Sequence, residues 1–190
     1  MNASAKSMVK MSILKNTMRK LILSAILFCY ILPVLSQKPC SQPEYRQFDF
    51  WLGQWEAFNT SGQKAGDSKI TLLLDSCVIL EEWTSASVNR GMRYAGKSFN
   101  TYNAVTKQWQ QTWVDNVGGS NEYLIGKFEN NKLIYSSTPF AFSKDTMAIR
   151  KMTFTNLSPV KLRQHGEISK DNGVSWTTEY DFEYRRKKGD

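Results

Sequence analysis

Punctuation constrains this chain more than any single motif does. Beyond residue 52, runs rich in β-branched and aromatic residues, many alternating apolar with polar, are broken at short intervals by Gly, Asn, Asp and Ser. The runs fall at about 54–59, 67–74, 77–87, 92–103, 107–115, 121–128, 131–138, 146–156, 160–168 and 175–185. Between them lie tight-turn signals: Asn103-Ala104-Val105-Thr106, Asn116-Val117-Gly118-Gly119, Glu129-Asn130-Asn131 and Asp171-Asn172-Gly173. Asn, Asp and Gly tolerate the backbone angles that such hairpins need. No segment in this region keeps a helical period over three turns. The expectation is an all-β chain of about ten antiparallel strands, most economically closed into one up-and-down barrel because closure pairs every edge. A two-sheet β-sandwich is the alternative. A barrel of this size leaves an interior cavity unless large side chains fill it.

Ahead of the strands, residues 1–36 read as a secretory signal peptide. Lys6, Lys10, Lys15, Arg19 and Lys20 precede the apolar stretch Leu21–Leu35, and Val34 and Ser36 suit a cleavage after Ser36. The apolar run is short for a spanning helix and Pro33 interrupts it, so an uncleaved anchor is the lesser reading and no stable membrane span is expected after cleavage. The leader also carries much of the charge: without its five bases the net charge falls from +8 to +3. The basic tail Arg185-Arg186-Lys187-Lys188 then reads as a solvated terminus, and nucleic acid is not an expected partner. Residues 37–190 suit one domain with a sizeable core, and the expected address is extracytoplasmic, periplasmic or secreted.

Of three cysteines, Cys29 falls in the leader, leaving Cys40 and Cys77. In an oxidising compartment an even pair reads as one disulfide, the alternative being two separate thiols. A loop of about 37 residues closed this way is worth roughly 3 to 4 kcal/mol on the chain-entropy model. No Cys-x-x-Cys occurs and His165 is the single histidine, so neither a zinc site nor any other cofactor is expected. One histidine is enough to hold haem in some barrels, and that is the lesser reading of His165.

The mature chain opens on Phe48-Asp49-Phe50-Trp51-Leu52-Gly53-Gln54-Trp55. A turn or short helix with such bulky residues can plug one end of a barrel, with the tryptophan starting the first strand at its floor. With Glu81-x-Trp83, Trp109-x-Gln111-x-Trp113-Val114-Asp115, Arg163-Gln164 and Ser169-x-Asp171-x-Gly173-x-Ser175-Trp176, this opening resembles a family of uncharacterised, secreted bacterial lipocalin-like (calycin-type) proteins. The resemblance covers nearly all of residues 40–190. It implies a barrel and an extracytoplasmic address, and no established activity. Gly53-x-Trp55 is similar to the lipocalin opening, although the later Thr-Asp turn motif of lipocalins is missing.

Strand alternation groups Glu81 with Trp83, and Gln111 with Trp113 and Asp115. Tryptophans usually face inward, and a carboxylate beside them needs a partner. Arg163, His165 and Glu167, also sharing one face, are expected inside as the source of that partner charge. Phe99 or Tyr102 would add contact surface. The functional reading is an aromatic-lined pocket whose polar cluster orients one end of a small amphipathic or apolar ligand; the alternative is a satisfied buried network filling the barrel, with an outer face or loops that meet a protein or glycan.

Catalysis is the weakest expectation. There is no Gly-x-Ser-x-Gly elbow, phosphate loop or His-Glu-x-x-His, and Glu81 with Asp115 is a slender basis for a carboxylate pair. The Ser169–Trp176 segment resembles the Asp-box hairpin of sialidases, where it is a fold element. Finally, Arg185 or Arg186 on the last strand is expected to stack over Trp55 where first and last strands meet.

Overall fold

The computed structural model describes residues 38–189, together with Met11, Leu14–Asn16, Met18 and Arg19; the expected leader otherwise lies outside the described residues. Among the described residues, eleven strands follow two short 3-10 turns, Pro43–Arg46 and Asp49–Trp51. They are β1 (Gly53–Phe58), β2 (Lys64–Leu73), β3 (Val78–Asn89), β4 (Met92–Asn103), β5 (Gln108–Asp115) and β6 (Ser120–Glu129). The chain continues through β7 (Lys132–Ser136), β8 (Phe140–Ser143), β9 (Thr146–Ser158), β10 (Lys161–Ser169) and β11 (Thr177–Arg186).

Ten of these close into an antiparallel barrel. Each strand pairs with the next, β7 pairs across to β9, and β11 returns to β1 through Trp55↔Arg186, Glu56↔Arg185, Ala57↔Tyr184 and Phe58↔Glu183. Closure is the outcome expected from pairing every edge, and the turns between strands follow their residue chemistry. Asn130 and Asn131 both take positive φ, 50° and 59°, and join Glu129 to its partner Lys132 as a two-residue hairpin. At another turn, the Asn103 side chain accepts hydrogen bonds from the amides of Val105 and Thr106 at 3.0 and 3.1 Å.

The strand that the pattern did not announce is β8. It extends the line of β7 along β9 after Pro139, which has no N–H to offer the ladder. Ser137 bridges the interruption: its amide donates to the Arg150 carbonyl at 2.9 Å, and its hydroxyl accepts from the Arg150 amide at 2.9 Å. Only four residues long, β8 is defined by its partner rather than by its own alternation.

One end of the barrel is sealed by the aromatic opening segment. Phe48, Trp51 and Trp55 are fully buried, as are Leu133, Phe154 and Leu162 from the surrounding strands. Trp51 stacks on Phe48 at 4.8 Å between centroids and lies 4.6 Å from Phe154. Two indole N–H groups fix the plug, Trp55 donating to the Trp51 carbonyl at 2.7 Å and Trp109 to the Gln47 side chain at 3.1 Å. Burying each such side chain is worth roughly 1.5–3 kcal/mol. The plug is also held covalently, because Cys40 is bonded to Cys77, just before β3 and 37 residues on.

The expected arginine over Trp55 is Arg186, at 4.3 Å from the ring centroid. Its guanidinium also donates to the carbonyls of Pro159 and Leu52 at 3.0 and 2.9 Å, joining three parts of the sealed end. Arg185 points the other way and covers Phe58 at 4.1 Å.

Candidate functional site

Whether the barrel is filled depends on where its aromatic rings lie. Trp83 and Trp113 face inward, and each meets a glycine on a neighbouring strand. A Cβ on Gly66 would come within 2.5 Å of the Trp83 ring, and one on Gly96 within 2.2 Å of the Trp113 ring. With no Cβ in the way, the rings lie down along the wall instead of crossing the lumen. Tyr180 lies over Gly166 in the same manner, where a Cβ would sit 2.3 Å away. The half of the barrel away from the plug therefore keeps a cavity of about 460 Å³, lined among others by Trp83, Tyr94, Trp113, Tyr123 and Phe182.

A polar seam descends one wall. Glu81, 3 % exposed, accepts hydrogen bonds from Ser68 on β2 and Ser98 on β4, each at 2.9 Å. Ser98 in turn accepts from Asn100 at 3.1 Å. The Asn100 side-chain oxygen accepts from Gln111 at 2.9 Å and from the Tyr135 hydroxyl at 3.1 Å. Every member is tied to its neighbour, which is how a buried polar group is tolerated. Glu81 nonetheless has no cation among these partners, and burial outweighs the two hydroxyls, raising its pKa from the ordinary 4.5 to about 7.

Across the mouth runs a second polar arrangement. Arg150 on β9 donates to both carboxylate oxygens of Glu179 on β11, Nε to Oε2 at 2.9 Å and Nη2 to Oε1 at 3.1 Å, and to Asn121 on β6 at 2.9 Å. Burial works against the charge of Arg150, but Glu179 outweighs it and holds the guanidinium pKa above its ordinary value. Tyr123 and Tyr180 sit beside this pair, and burial pushes the Tyr123 hydroxyl up to about 12 and Tyr180 well above the ordinary range. Both phenols are neutral hydrogen-bonding groups at physiological pH.

The residues singled out from the sequence divide into two groups. Glu81, Trp83, Gln111 and Trp113 line the cavity. Asp115 stands beside it at the β5–β6 turn, accepting from the amides of Val117 and Gly119 at 3.0 and 2.7 Å and from the Tyr94 hydroxyl at 3.0 Å. Burial raises its pKa, yet those donors prevail and hold the carboxyl below its usual range. Tyr102 faces in at the sealed end, 5.1 Å from Tyr45 and 5.9 Å from Trp109, so it packs the plug rather than the cavity.

Phe99, Arg163 and His165 require correction. Phe99 is 42 % exposed on the outer face, because β4 gives its inner positions to Ser98 and Asn100. On β10 the inward residues are Leu162, Gln164 and Ile168, which turns Arg163, His165 and Glu167 outward. Arg163 pairs there with Asp181 at 2.6 Å, and His165 meets Thr178 at 3.0 Å and Glu167 at 3.7 Å. Water and neighbouring side chains satisfy these ionisable groups on the outer face, whereas inside they would need costly compensation. The histidine suggested for haem thus lies outside the lumen.

The sequence reading overlooked Arg150, Glu179, Asn121 and Tyr123, which meet only because the barrel closes. It also overlooked Tyr180 and Phe182, although Tyr180-x-Phe182-x-Tyr184 alternates as an inner face should. Among the described residues, no group of three or more His, Cys, Asp or Glu side chains is placed to hold a metal ion. The Ser169–Trp176 hairpin forms as its chemistry suggests. Asp171 accepts from Ser169 at 2.7 Å and from the Ser175 amide at 2.8 Å, and Trp176 donates to the Gly173 carbonyl at 3.1 Å. Compared with protein-family models and with curated proteins, the chain matches none.

Proposed function

We propose that the protein is an exported, lipocalin-like barrel that binds a small, partly apolar molecule in its lumen without transforming it. The cavity carries the reading. It holds about 460 Å³, within the range of small-molecule sites, and combines apolar walls with a few convergent polar groups. Trp83, Trp113 and Phe182 offer flat contact surface, and Glu81 with Gln111 offers orientation. Export is supported by the leader pattern and by the Cys40–Cys77 bond, which persists best in an oxidising compartment. Among the described residues, no helix is long and apolar enough to cross a membrane. A non-catalytic role is favoured by the state of the carboxyls in and beside the cavity, Glu81 committed to two hydroxyls, Glu179 to Arg150 and Asp115 to turn amides.

Native mass spectrometry with an absorbance scan tests this on protein purified from its own host. The expected result is a stoichiometric small-molecule adduct that is released on unfolding. A clean apo mass under conditions that preserve other carrier complexes would refute the carrier reading and favour a protein or glycan interaction module.

A further inference from the structure

We propose that the lumen is shaped for an organic monocation: an amphipathic amine whose ammonium group pairs with Glu81 while its apolar body lies against Trp83, Trp113 and Phe182. The inference rests on the lumen-binding reading above and adds the charge of the ligand.

The charges in and beside the cavity leave one group without a counter-charge. Arg150 is answered by Glu179 and Asn121, and so contributes no free cation. Asp115, beside the rim, is committed to two amides and the Tyr94 hydroxyl. Glu81 differs from both. It is buried, it faces the cavity, and both of its hydrogen bonds come from neutral serines. A carboxylate offers about four lone-pair sites, of which two are taken. The other titratable groups near it, Tyr94 on β4 and Tyr180 and Tyr184 on β11, are all held neutral by pKa values above the ordinary range. The described domain is net basic, yet Arg163, Lys151 and Lys161 make their ion pairs with Asp181, Glu167 and Glu183 on its outer face, so none answers Glu81.

A ligand cation resolves this imbalance. It would pair with the carboxylate and lie near aromatic faces, whose quadrupoles attract positive charge when water is excluded. An anion would meet Glu81 unfavourably and find Arg150 already occupied. A neutral ligand would leave the carboxylate without a counter-charge. The raised pKa of Glu81 fits a site completed by its ligand, because the arriving cation favours ionisation that burial alone opposes.

The test uses three matched probes, 4-phenylbutylamine, 4-phenylbutanol and 4-phenylbutyrate, titrated calorimetrically into the purified protein at pH 8. The amine should bind at least about tenfold more tightly than the alcohol, and the acid more weakly than either. Glu81→Gln should remove the advantage of the amine over the alcohol. In the unaltered protein that advantage should shrink as the pH is lowered from 8 to 6, a readout that needs no variant to fold. Alcohol binding as tight as amine binding would overturn the charge assignment and leave the lumen reading standing. An amine preference that survives Glu81→Gln would place the cation elsewhere and overturn it as well. Failure of all three probes to bind would overturn both readings.

Discussion

Replacing Glu81 by Gln removes an ionisable group that the fold holds against its preference, so the variant should be more stable than the natural protein at alkaline pH. The unfolded chain ionises this side chain near 4.5, while the folded barrel delays ionisation to about 7 because of burial, with Ser68 and Ser98 partly offsetting the cost. Below pH 4.5 both states are protonated and the contribution to stability is fully present. As the pH rises through 7 it is lost, because the unfolded state is already ionised and the folded state must follow. The two values differ by about two and a half units, each worth about 1.4 kcal/mol, so the loss saturates at ~3 kcal/mol. In a domain of this size that is roughly 6–12 °C in Tm. The groups facing Glu81 do not blur the result. Tyr94, Tyr180 and Tyr184 have raised pKa values, and Arg150 stays charged against Glu179. Urea unfolding of both proteins at intervals from pH 4 to 8 gives a difference in which contributions from other groups cancel. That difference should be near its low-pH value at pH 4.5 and move by ~3 kcal/mol in favour of the Gln variant by pH 8. A difference that is flat across this range, or a variant that loses stability as the pH rises, would refute the placement in the lumen of a carboxyl without a counter-charge.

Three further outcomes follow from the same geometry. Removing the Cys40–Cys77 bond with a Cys40→Ser, Cys77→Ser pair should lower stability by roughly 3–4 kcal/mol, read as the unfolding midpoint against the oxidised protein. Arg186→Ala should cost about 2 kcal/mol, since it removes the stack on Trp55 and two bonds to carbonyls, whereas Arg185→Ala should cost under about 0.5 kcal/mol; equal effects would contradict the closure described here. Gly96→Ala sets a Cβ against the Trp113 ring and should destabilise by about 1–3 kcal/mol while driving the indole into the lumen. Reduced probe uptake and a changed tryptophan emission would report that movement, and unchanged uptake would count against rings laid on glycines.

How much of this was legible in the chain depends on where the information resides. Local chemistry reads well. Asn130-Asn131 needs no partner to prefer its hairpin, and Ser169–Trp176 folds through bonds among its own side chains. Parity reads well where bulky residues mark the inside, as Trp83 does for Glu81 and Trp113 for Gln111. It misleads on β4 and β10. On β4 the inner face is polar because Ser98 and Asn100 serve Glu81 and Gln111, which leaves Phe99 outside. On β10 the inner face includes small and neutral residues, Gly166 and Gln164, so the charged face drew attention while Leu162 and Ile168 held the true orientation. The mouth was illegible for a different reason. Arg150, Glu179 and Asn121 come from β9, β11 and β6, and nothing local links them before the sheet curls and closes. The interrupted β7–β8 edge is similar, since β8 exists through its pairing with β9.

The central claim is that the far half of the barrel is an open, ligand-accepting lumen. A fluorescence titration with N-phenyl-1-naphthylamine, a neutral dye that brightens in apolar surroundings, tests it most directly when run beside a Ser85→Trp variant. Ser85 lines the cavity, so an indole there occupies ligand space without touching the plug. The account predicts saturable one-to-one enhancement in the natural protein and its loss in the variant, with both proteins unfolding at similar urea concentrations. No saturable enhancement, or equal enhancement in the two proteins, would contradict it.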